Sequence, residues 1–239
     1  MSDGPEGVDV FAAERPLARA TVKDQAMAVI RRAMVAGDVV PGQIFSASAL
    51  AQRLGVSNSP VRDALMELVH GGIMEVVPNR GFRMVVLDEH DLAEVYELRR
   101  MLEVPSMGRL ARSGLGDREP ALRESVELCT RAAHDGDARE FLVHDRRFHL
   151  GLLELLGNGR LVVTVDRLRD QTRISGMRTL VERDLLVRSA AEHGELLDAI
   201  VAGAAEQAEQ IMVRHMAHGA VGRWRTEVHG AAGTDPRPA

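Results

Sequence analysis

Two side chains of one predicted helix could bind a metal ion. Asp145 and His149 stand four positions apart in the stretch HDRRFHLGLLELLGNGR, so a helix places them on one face with Phe148, Leu152 and Leu156. A carboxylate and an imidazole are costly to bury on an apolar face unless a partner compensates them. The pair therefore indicates either a polar helix edge or half of a metal site.

Two further histidines, His193 and His215, fall where helical spacing places aliphatic neighbours on the same face. Each histidine taken alone could be an ordinary core residue, but one cation would pair with all of them at once. Imidazole and carboxylate donors suit Zn²⁺ or Ni²⁺ better than Ca²⁺. We therefore expect a divalent transition metal, zinc or nickel, bound by these two histidines with Asp145 and His149.

A metal ion with open coordination positions could also catalyse hydrolysis. That alternative needs a general base, and the nominal candidates are Glu154, Glu192 and Glu195. None of them lies in an HExxH arrangement, and the sequence has no nucleophile elbow, P-loop or GxGxxG motif. We therefore do not expect an enzyme.

The elements that must position these residues are helices. From Asp88 onward the apolar spacing is helical, and turns rich in Gly and Asp separate six predicted helices. These span about 90–113, 118–134, 138–157, 160–180, 189–202 and 205–227. The four candidate ligands fall on the third, fifth and sixth, so the metal site requires these three helices to meet.

The N-terminal third has a different pattern. A helix over about 22–36 precedes a short helix in SASALAQRLG, another in VSNSPVRDALMELVHGG, and two apolar strands, IMEVV and GFRMVVL, joined by PNR. This order is typical of a winged helix-turn-helix, whose second short helix enters the DNA major groove while the hairpin forms the wing.

The sequence thus predicts a mostly α-helical protein. We expect a winged helix-turn-helix over 16–87 and an all-α bundle of about six helices over 88–229. The Pro- and Gly-rich ends, 1–15 and 230–239, are expected to be disordered tails.

A dense motif runs through the N-terminal segment. It comprises Pro41-Gly42, Leu50-Ala51, Leu54-Gly55-Val56-Ser57, Pro60-Val61-Arg62-Asp63-Ala64-Leu65, Gly72-Ile73 and Arg80-Gly81. With these residues the segment resembles the DNA-binding domain of the GntR family of bacterial transcription regulators, which implies double-stranded operator DNA as a partner. Polar groups at a helix N-terminus, together with arginines, can contact phosphates and base edges. The candidate DNA contacts are Ser48, Ser57, Asn58, Ser59, Arg62, Arg80 and Gly81.

Asn58 departs from the family pattern, which usually has Arg after the Ser of VSRTPVR. Because Asn reads adenine or a phosphate whereas Arg reads guanine, we expect a different operator core. Charge is consistent with DNA binding by this segment. Between Pro16 and Leu87 eight basic residues stand against five acidic ones, although the whole chain carries a net charge of −5.

The helical part carries the stretches VYELRRMLE, DRRFHLGLLELLGN, EHGELLDAI and RHM. With these it resembles the FCD-type ligand-binding domain of the FadR-like branch of the same family. In metal-binding members one Asp and three His hold a divalent cation. The resemblance therefore implies the same four ligands as the residue pattern does: Asp145, His149, His193 and His215.

A metal ion in such a bundle would leave positions for a small carboxylate or hydroxy acid, which an arginine could hold from a second side. The resemblance implies this role for Arg99. Arg169 and Arg173 share a helix face and could line the same cavity. For all three arginines the alternative is ordinary surface pairing with Glu, for which Arg99 has Glu103 four positions away. Asn158 completes the set of candidate effector contacts.

We expect a ligand-responsive regulator, a repressor acting as a homodimer on a pseudo-palindromic operator. The alternatives are an activator and a constitutive DNA-binding protein with a purely structural metal. No segment approaches the roughly 20 apolar residues of a membrane span, and the N-terminus lacks a signal-peptide pattern, so a cytoplasmic location without membrane contact is expected. The single Cys129 excludes an intramolecular disulfide.

Overall fold

A computed structural model of the chain describes residues 21–35, 38–39, 42–182 and 185–217, without the side chains of residues 35, 173–182 and 185. The predicted tails, 1–15 and 230–239, and the end of the helix expected over 205–227 lie outside these ranges. In the described residues no helix is both long enough and apolar enough to cross a membrane.

The N-terminal part is a winged helix-turn-helix, as predicted. Its elements are α1 (Val22–Val35), β1 (Ile44–Phe45), α2 (Ala47–Leu54), α3 (Asn58–His70), β2 (Met74–Val77) and β3 (Gly81–Met84). The three strands form an antiparallel sheet in the order β1-β3-β2, in which Phe82 of β3 pairs with both Phe45 and Val76. Strand β1 was not predicted, because two residues are too few to show an alternating pattern.

Local signals fix the ends of the two short helices. The Ser46 hydroxyl accepts a hydrogen bond from the Ala49 N–H at 3.4 Å and begins α2, and Gly55 ends it in a left-handed conformation. On α3, Val61 and Leu65 are among the side chains buried against α1 and the sheet. This face holds α3 in place and leaves its N-terminal residues exposed.

The C-terminal part is all-helical, again as predicted. Its helices are α4 (Glu89–Ser113), α5 (Glu119–His134), α6 (Ala138–Glu154), α7 (Gly159–Glu182), α8 (Leu185–Val201) and α9 (Ala205–Ala217), with a 3₁₀ turn at Gly116–Arg118. A capping box between Asp88 and Asp91 begins α4. The main core gathers around fully buried side chains such as Phe148, Leu196 and Met212 and shares no residue with the core of the N-terminal part.

Polar contacts join α7 to the N-terminal part. Asp170 forms an ion pair with Arg31 of α1 at 2.7 Å. The side-chain amide of the next residue, Gln171, donates to the carbonyl oxygen of Gly71 at 2.8 Å, directly after the end of α3. Gly72 adopts a φ angle of +71°, a left-handed conformation that favours glycine, and a Cβ atom there would meet the end of the Gln171 side chain.

Candidate metal centre

Asp145, His149, His193 and His215 converge inside the helical bundle. Helix α6 supplies the first two, one turn apart, while α8 and α9 supply one histidine each. One donor atom from each side chain lies within 4.8 Å of all the others, and all four side chains are buried. The Nε2 atom of His149 is 3.1 Å from Nε2 of both His193 and His215. The Asp145 Oδ1 atom lies 3.4 Å from His149 Nε2 and 3.3 Å from His193 Nε2.

These separations fit a ligand shell around one ion. A shell at 2.0–2.1 Å from a zinc-sized ion has edges of about 2.9 Å if octahedral and about 3.4 Å if tetrahedral. Each Nε2 carries at most one proton, so where two of these nitrogens face each other only one of them can donate. A cation satisfies them all, and three imidazoles with one carboxylate suit zinc or nickel.

Two of the histidines, His149 and His215, are held in the form that binds metal. Burial lowers the pKa of His149 well below its usual value of 6.5, and the nearby Arg169 guanidinium lowers it further. Burial also lowers the pKa of His215 to about 4, although the hydrogen bond with Glu192 acts in the opposite direction. Both imidazoles are therefore neutral at pH 7, as metal coordination requires.

Glu192 orients His215 from behind. Its Oε2 atom lies 3.3 Å from Nδ1 of His215, and its Oε1 atom accepts from Nε of Arg214 at 3.1 Å. A carboxylate on Nδ1 fixes the proton there and leaves the lone pair of Nε2 for a metal ion. The sequence suggested Glu192 only as a nominal base. The only hint of this supporting role in the sequence was that Glu192 directly precedes His193 and that its partner Arg214 directly precedes His215.

One buried arginine, Arg169, borders the cluster, and a second, Arg99, shares its carboxylate partner Glu103. Arg169 of α7 donates to Oδ2 of Asp145 at 3.0 Å and to Oε2 of Glu103 at 2.6 Å. Arg99 of α4 donates to Oε1 of Glu103 at 2.7 Å and to the Thr172 hydroxyl at 2.9 Å. Arg169 is only 3% exposed, so the alternative that it is a surface arginine was wrong.

Glu103 was not predicted as a site residue, although it lies within the quoted stretch VYELRRMLE. Burial by itself would raise the pKa of Glu103, but Arg169 and Arg99 outweigh burial and lower it. The carboxylate therefore stays ionised and binds both guanidinium groups, of which that of Arg169 contacts the cluster. Its spacing from Arg99 indicated one of these pairs, whereas the contact from α7 depends on helix packing.

The other two candidate effector contacts lie differently. The side chain of Arg173 is outside the described residues. Asn158 is exposed at the beginning of α7, where its Oδ1 atom accepts from the N–H groups of Arg160 and Leu161 at 3.1 Å each. The structure therefore gives Asn158 a helix-capping role and does not bring it to the buried arginines.

The candidate DNA contacts lie on the surface of the N-terminal part. Six of them are exposed: Ser48, Ser57, Asn58, Ser59, Arg62 and Arg80. Ser57 stands at the N-cap position of α3, yet its side chain makes no capping hydrogen bond. Arg80 lies in the turn between β2 and β3. The exposed start of α3 and the wing tip are thus available to another molecule.

Gly81 has a structural role that the sequence did not reveal. Its φ angle is +133°, and a Cβ atom there would overlap the carbonyl oxygen of Phe45 in β1. Gly81 is therefore required for the sheet itself. A close approach of its backbone to DNA stays a prediction.

A winged helix-turn-helix joined to a separate helical bundle defines a class, the DNA-binding transcription regulators with an added helical domain. The family model for bacterial regulatory proteins of the gntR family matches residues 22–84, and the FCD domain model matches residues 94–218. The chain therefore belongs to the GntR family and carries an FCD domain. It is a transcription regulator and not an enzyme.

Individual relatives agree with this assignment. The chain is 30% identical over 207 residues to a "Probable D-xylose utilization operon transcriptional repressor" of Paenarthrobacter nicotinovorans, a match that covers 86% of this chain and 90% of that one. It is 30% identical over 192 residues, 78% of each chain, to an HTH-type transcriptional regulator in an unstable DNA locus of Streptomyces ambofaciens. The solved structure of E. coli McbR/YncC shares the fold, with a TM-score of 0.73 and 22% identity over 90% of this chain and all of that one.

Proposed function

We propose that this regulator is a metal-centred repressor whose operator binding responds to a small carboxylate or hydroxy acid. The observation that carries the proposal is the buried cluster of three imidazoles and one carboxylate, which Arg169 contacts at Asp145 and to which Arg99 is linked through Glu103. The cluster would hold Zn²⁺ or Ni²⁺, and the metal would supply a Lewis acid for a ligand oxygen. The similarity to a relative described as a repressor supports repression rather than activation as the mode of regulation.

The two arginines would recognise the rest of the ligand. Both guanidinium groups are already desolvated and held in place by Glu103, so an anion that reaches them gains strong charge-assisted hydrogen bonds. Arg169 already donates to Asp145, the carboxylate of the cluster. A second carboxylate in this position would compete with Asp145 or share Arg169 with it, so ligand binding would change the contacts of α7.

DNA would bind to the exposed start of α3 and to the wing. The N–H groups at the N-terminus of α3 and the exposed Ser57 side chain suit phosphate contacts, while Arg62, one turn further along, suits a guanine edge. A homodimer would place two such surfaces on the two halves of a pseudo-palindromic operator.

Helix α7 would connect the two events. Arg169 contacts the cluster, and the next two residues, Asp170 and Gln171, contact the N-terminal part. For the ligand to change operator occupancy it must favour one arrangement of the two parts, by a coupling free energy on the order of 1–3 kcal/mol.

The test is a thermal unfolding series on zinc-loaded protein with acetate, lactate, malate and citrate as probes. The proposal predicts that at least one acid raises the Tm of the wild type, and that the increase is lost in Arg99→Met. Arg109→Met, an exposed arginine on the same helix, serves as the control and should respond like the wild type. If the metal is purely structural, chelator alone lowers the Tm and none of the acids changes it.

A further inference from the structure

A cavity of about 210 Å³ lies between the N-terminal part and the helical bundle. Its walls come from α1, the residue before β2, α6 and α7, and it shares no residue with the metal cluster. The apolar lining consists of Ala28, Met34, Ile73, Leu142 and Val143. Of these side chains, Val143 is 43% exposed.

The polar lining of this interdomain cavity is mostly cationic. It consists of Arg31, Arg32, Arg139, Arg146 and Asp170. Ion pairs compensate part of this positive charge. Arg31 pairs with Asp170 at 2.7 Å, Arg146 with Asp166 at 2.6 Å and Arg139 with Asp38 at 3.5 Å. Arg32 makes no ion pair within the described part of the chain, so the positive charge of the cavity exceeds the negative.

Arg31 also has an unused hydrogen-bond donor. Its Nε atom is buried and has no hydrogen-bond partner among the described residues. A buried N–H without an acceptor is costly, and such groups in native proteins usually face a water, an ion or a ligand. An anion in the cavity would satisfy this donor and pair with the uncompensated charge.

We propose that the interdomain cavity is a second ligand site, for a small aromatic carboxylate. An apolar cavity of about 150 Å³ holds a benzene ring, so this larger one has room for a ring that carries a carboxylate. The ring would lie on the aliphatic wall and the carboxylate would face Arg31 and Arg32. Because α1 and α7 both line the cavity, the ligand would contact both parts of the protein and stabilise their arrangement in this structure.

The test uses 4-fluorobenzoate as the probe and ¹⁹F NMR line broadening as the measurement, on the full-length protein. Ala28→Phe fills the cavity from an exposed position of α1, and Arg32→Ala removes the uncompensated charge at an exposed position. We expect saturable binding to the wild type, at least tenfold weaker binding to Ala28→Phe and about threefold to tenfold weaker binding to Arg32→Ala. Arg109→Ala on α4 is the matched control and should bind like the wild type.

His149→Ala separates this site from the metal centre. Binding of the probe to this variant should remain saturable and should weaken less than in Ala28→Phe, since loss of the metal reaches the cavity only through α7. Absence of saturable binding to the wild type would overturn the proposal. The proposal would also be overturned if the probe binds Ala28→Phe and Arg32→Ala as it binds the wild type but does not bind His149→Ala, since its carboxylate would then be bound at the metal cluster. Should Ala28→Phe fail to fold by circular dichroism, the comparison of Arg32→Ala with Arg109→Ala decides the outcome.

Discussion

Arg169 and Asp170 are consecutive residues of α7, yet their ion pairs lead to different parts of the protein. Arg169 donates to Asp145 of the metal cluster at 3.0 Å, whereas Asp170 pairs with Arg31 of α1 at 2.7 Å. Successive residues of a helix point about 100° apart, so one short segment of α7 contacts the candidate metal centre and the DNA-binding part at once. Any shift of α7 that follows a change at Asp145 must alter both contacts.

Amide hydrogen exchange would detect this coupling without knowledge of the operator. Adding one equivalent of Zn²⁺ to metal-free protein is expected to change exchange in α1 and at Gly71–Met74 as well as around the cluster. In the double variant Asp170→Asn/Gln171→Ala the response should be confined to the helical bundle, while the zinc affinity measured by calorimetry stays the same.

The control for this experiment is Asp198→Asn, which removes an exposed ion pair with Arg123 within the bundle. It should respond to zinc like the wild type. An unchanged response of α1 in Asp170→Asn/Gln171→Ala would show that α7 does not carry the coupling. Zinc binding without any response of α1 in the wild type would contradict the coupling but not the metal centre.

Glu103→Gln should destabilise the fold by about 3 kcal/mol at pH 7, because two buried guanidinium groups lose their shared carboxylate. Urea unfolding followed by circular dichroism measures the effect. Glu127→Gln, an exposed position on α5, is the control and should change the free energy of unfolding by less than about 0.5 kcal/mol.

The same variant has a defined pH dependence. The pKa of Glu103 is lower in the folded protein than its usual value of 4.5, so its contribution is fully present above pH 4.5 and is lost as the pH falls through the folded pKa. The glutamine side chain of the variant cannot titrate. The difference in unfolding free energy between wild type and Glu103→Gln should therefore be constant from pH 7 to about pH 5 and shrink at about pH 4. A difference in unfolding free energy that stays constant down to about pH 4 would contradict a stabilising role of the Glu103 ion pairs.

Asn58→Arg should change the operator sequence that the protein selects. Asn58 is exposed at the first position of α3, where Asn favours adenine and Arg favours guanine. Selection from a randomised duplex library should give guanine in place of adenine at one position of each half-site. Arg109→Ala is the control and should leave the consensus unchanged. An identical consensus for wild type and Asn58→Arg would show that this residue does not read a base.

Gly81→Ala should destabilise the winged domain by about 2 kcal/mol, since it combines a strained φ of +133° with an overlap on the Phe45 carbonyl. Thermal unfolding by circular dichroism measures the loss. The control is Gly159→Ala, at a position with no neighbour near the added Cβ. If Gly81→Ala is as stable as Gly159→Ala, the structural role of this glycine is wrong.

The sequence was sufficient to predict the helices and to predict which helix faces carry the cluster residues. Helical spacing places Asp145 and His149 on one face, and turn residues mark where α6 and α8 end. Spacing cannot show which helices are neighbours. The prediction that Asp145 and His149 lie next to His193 and His215 therefore rested on the cost of burying polar groups and on a family resemblance. The two-residue strand β1 left no pattern at all.

Contacts between distant residues were the part that could not be predicted. Glu103 and Arg169 are 66 positions apart, and their pairing depends on how α4 packs against α7. The same holds for Asp170 with Arg31, which depends on how the two parts of the chain meet. Asn158 was predicted as a ligand contact because it lies within the motif, whereas in the structure its side chain caps the beginning of α7.

Metal binding at the cluster is tested by the metal content of protein purified without chelator or histidine tag, measured by mass spectrometry. We expect about one zinc or nickel ion per chain in the wild type and in His144→Ala, whose imidazole pairs with Glu140 outside the cluster. His149→Ala/His193→Ala should contain none. A wild type that stays free of metal even after addition of Zn²⁺ or Ni²⁺ would contradict the metal-centred site.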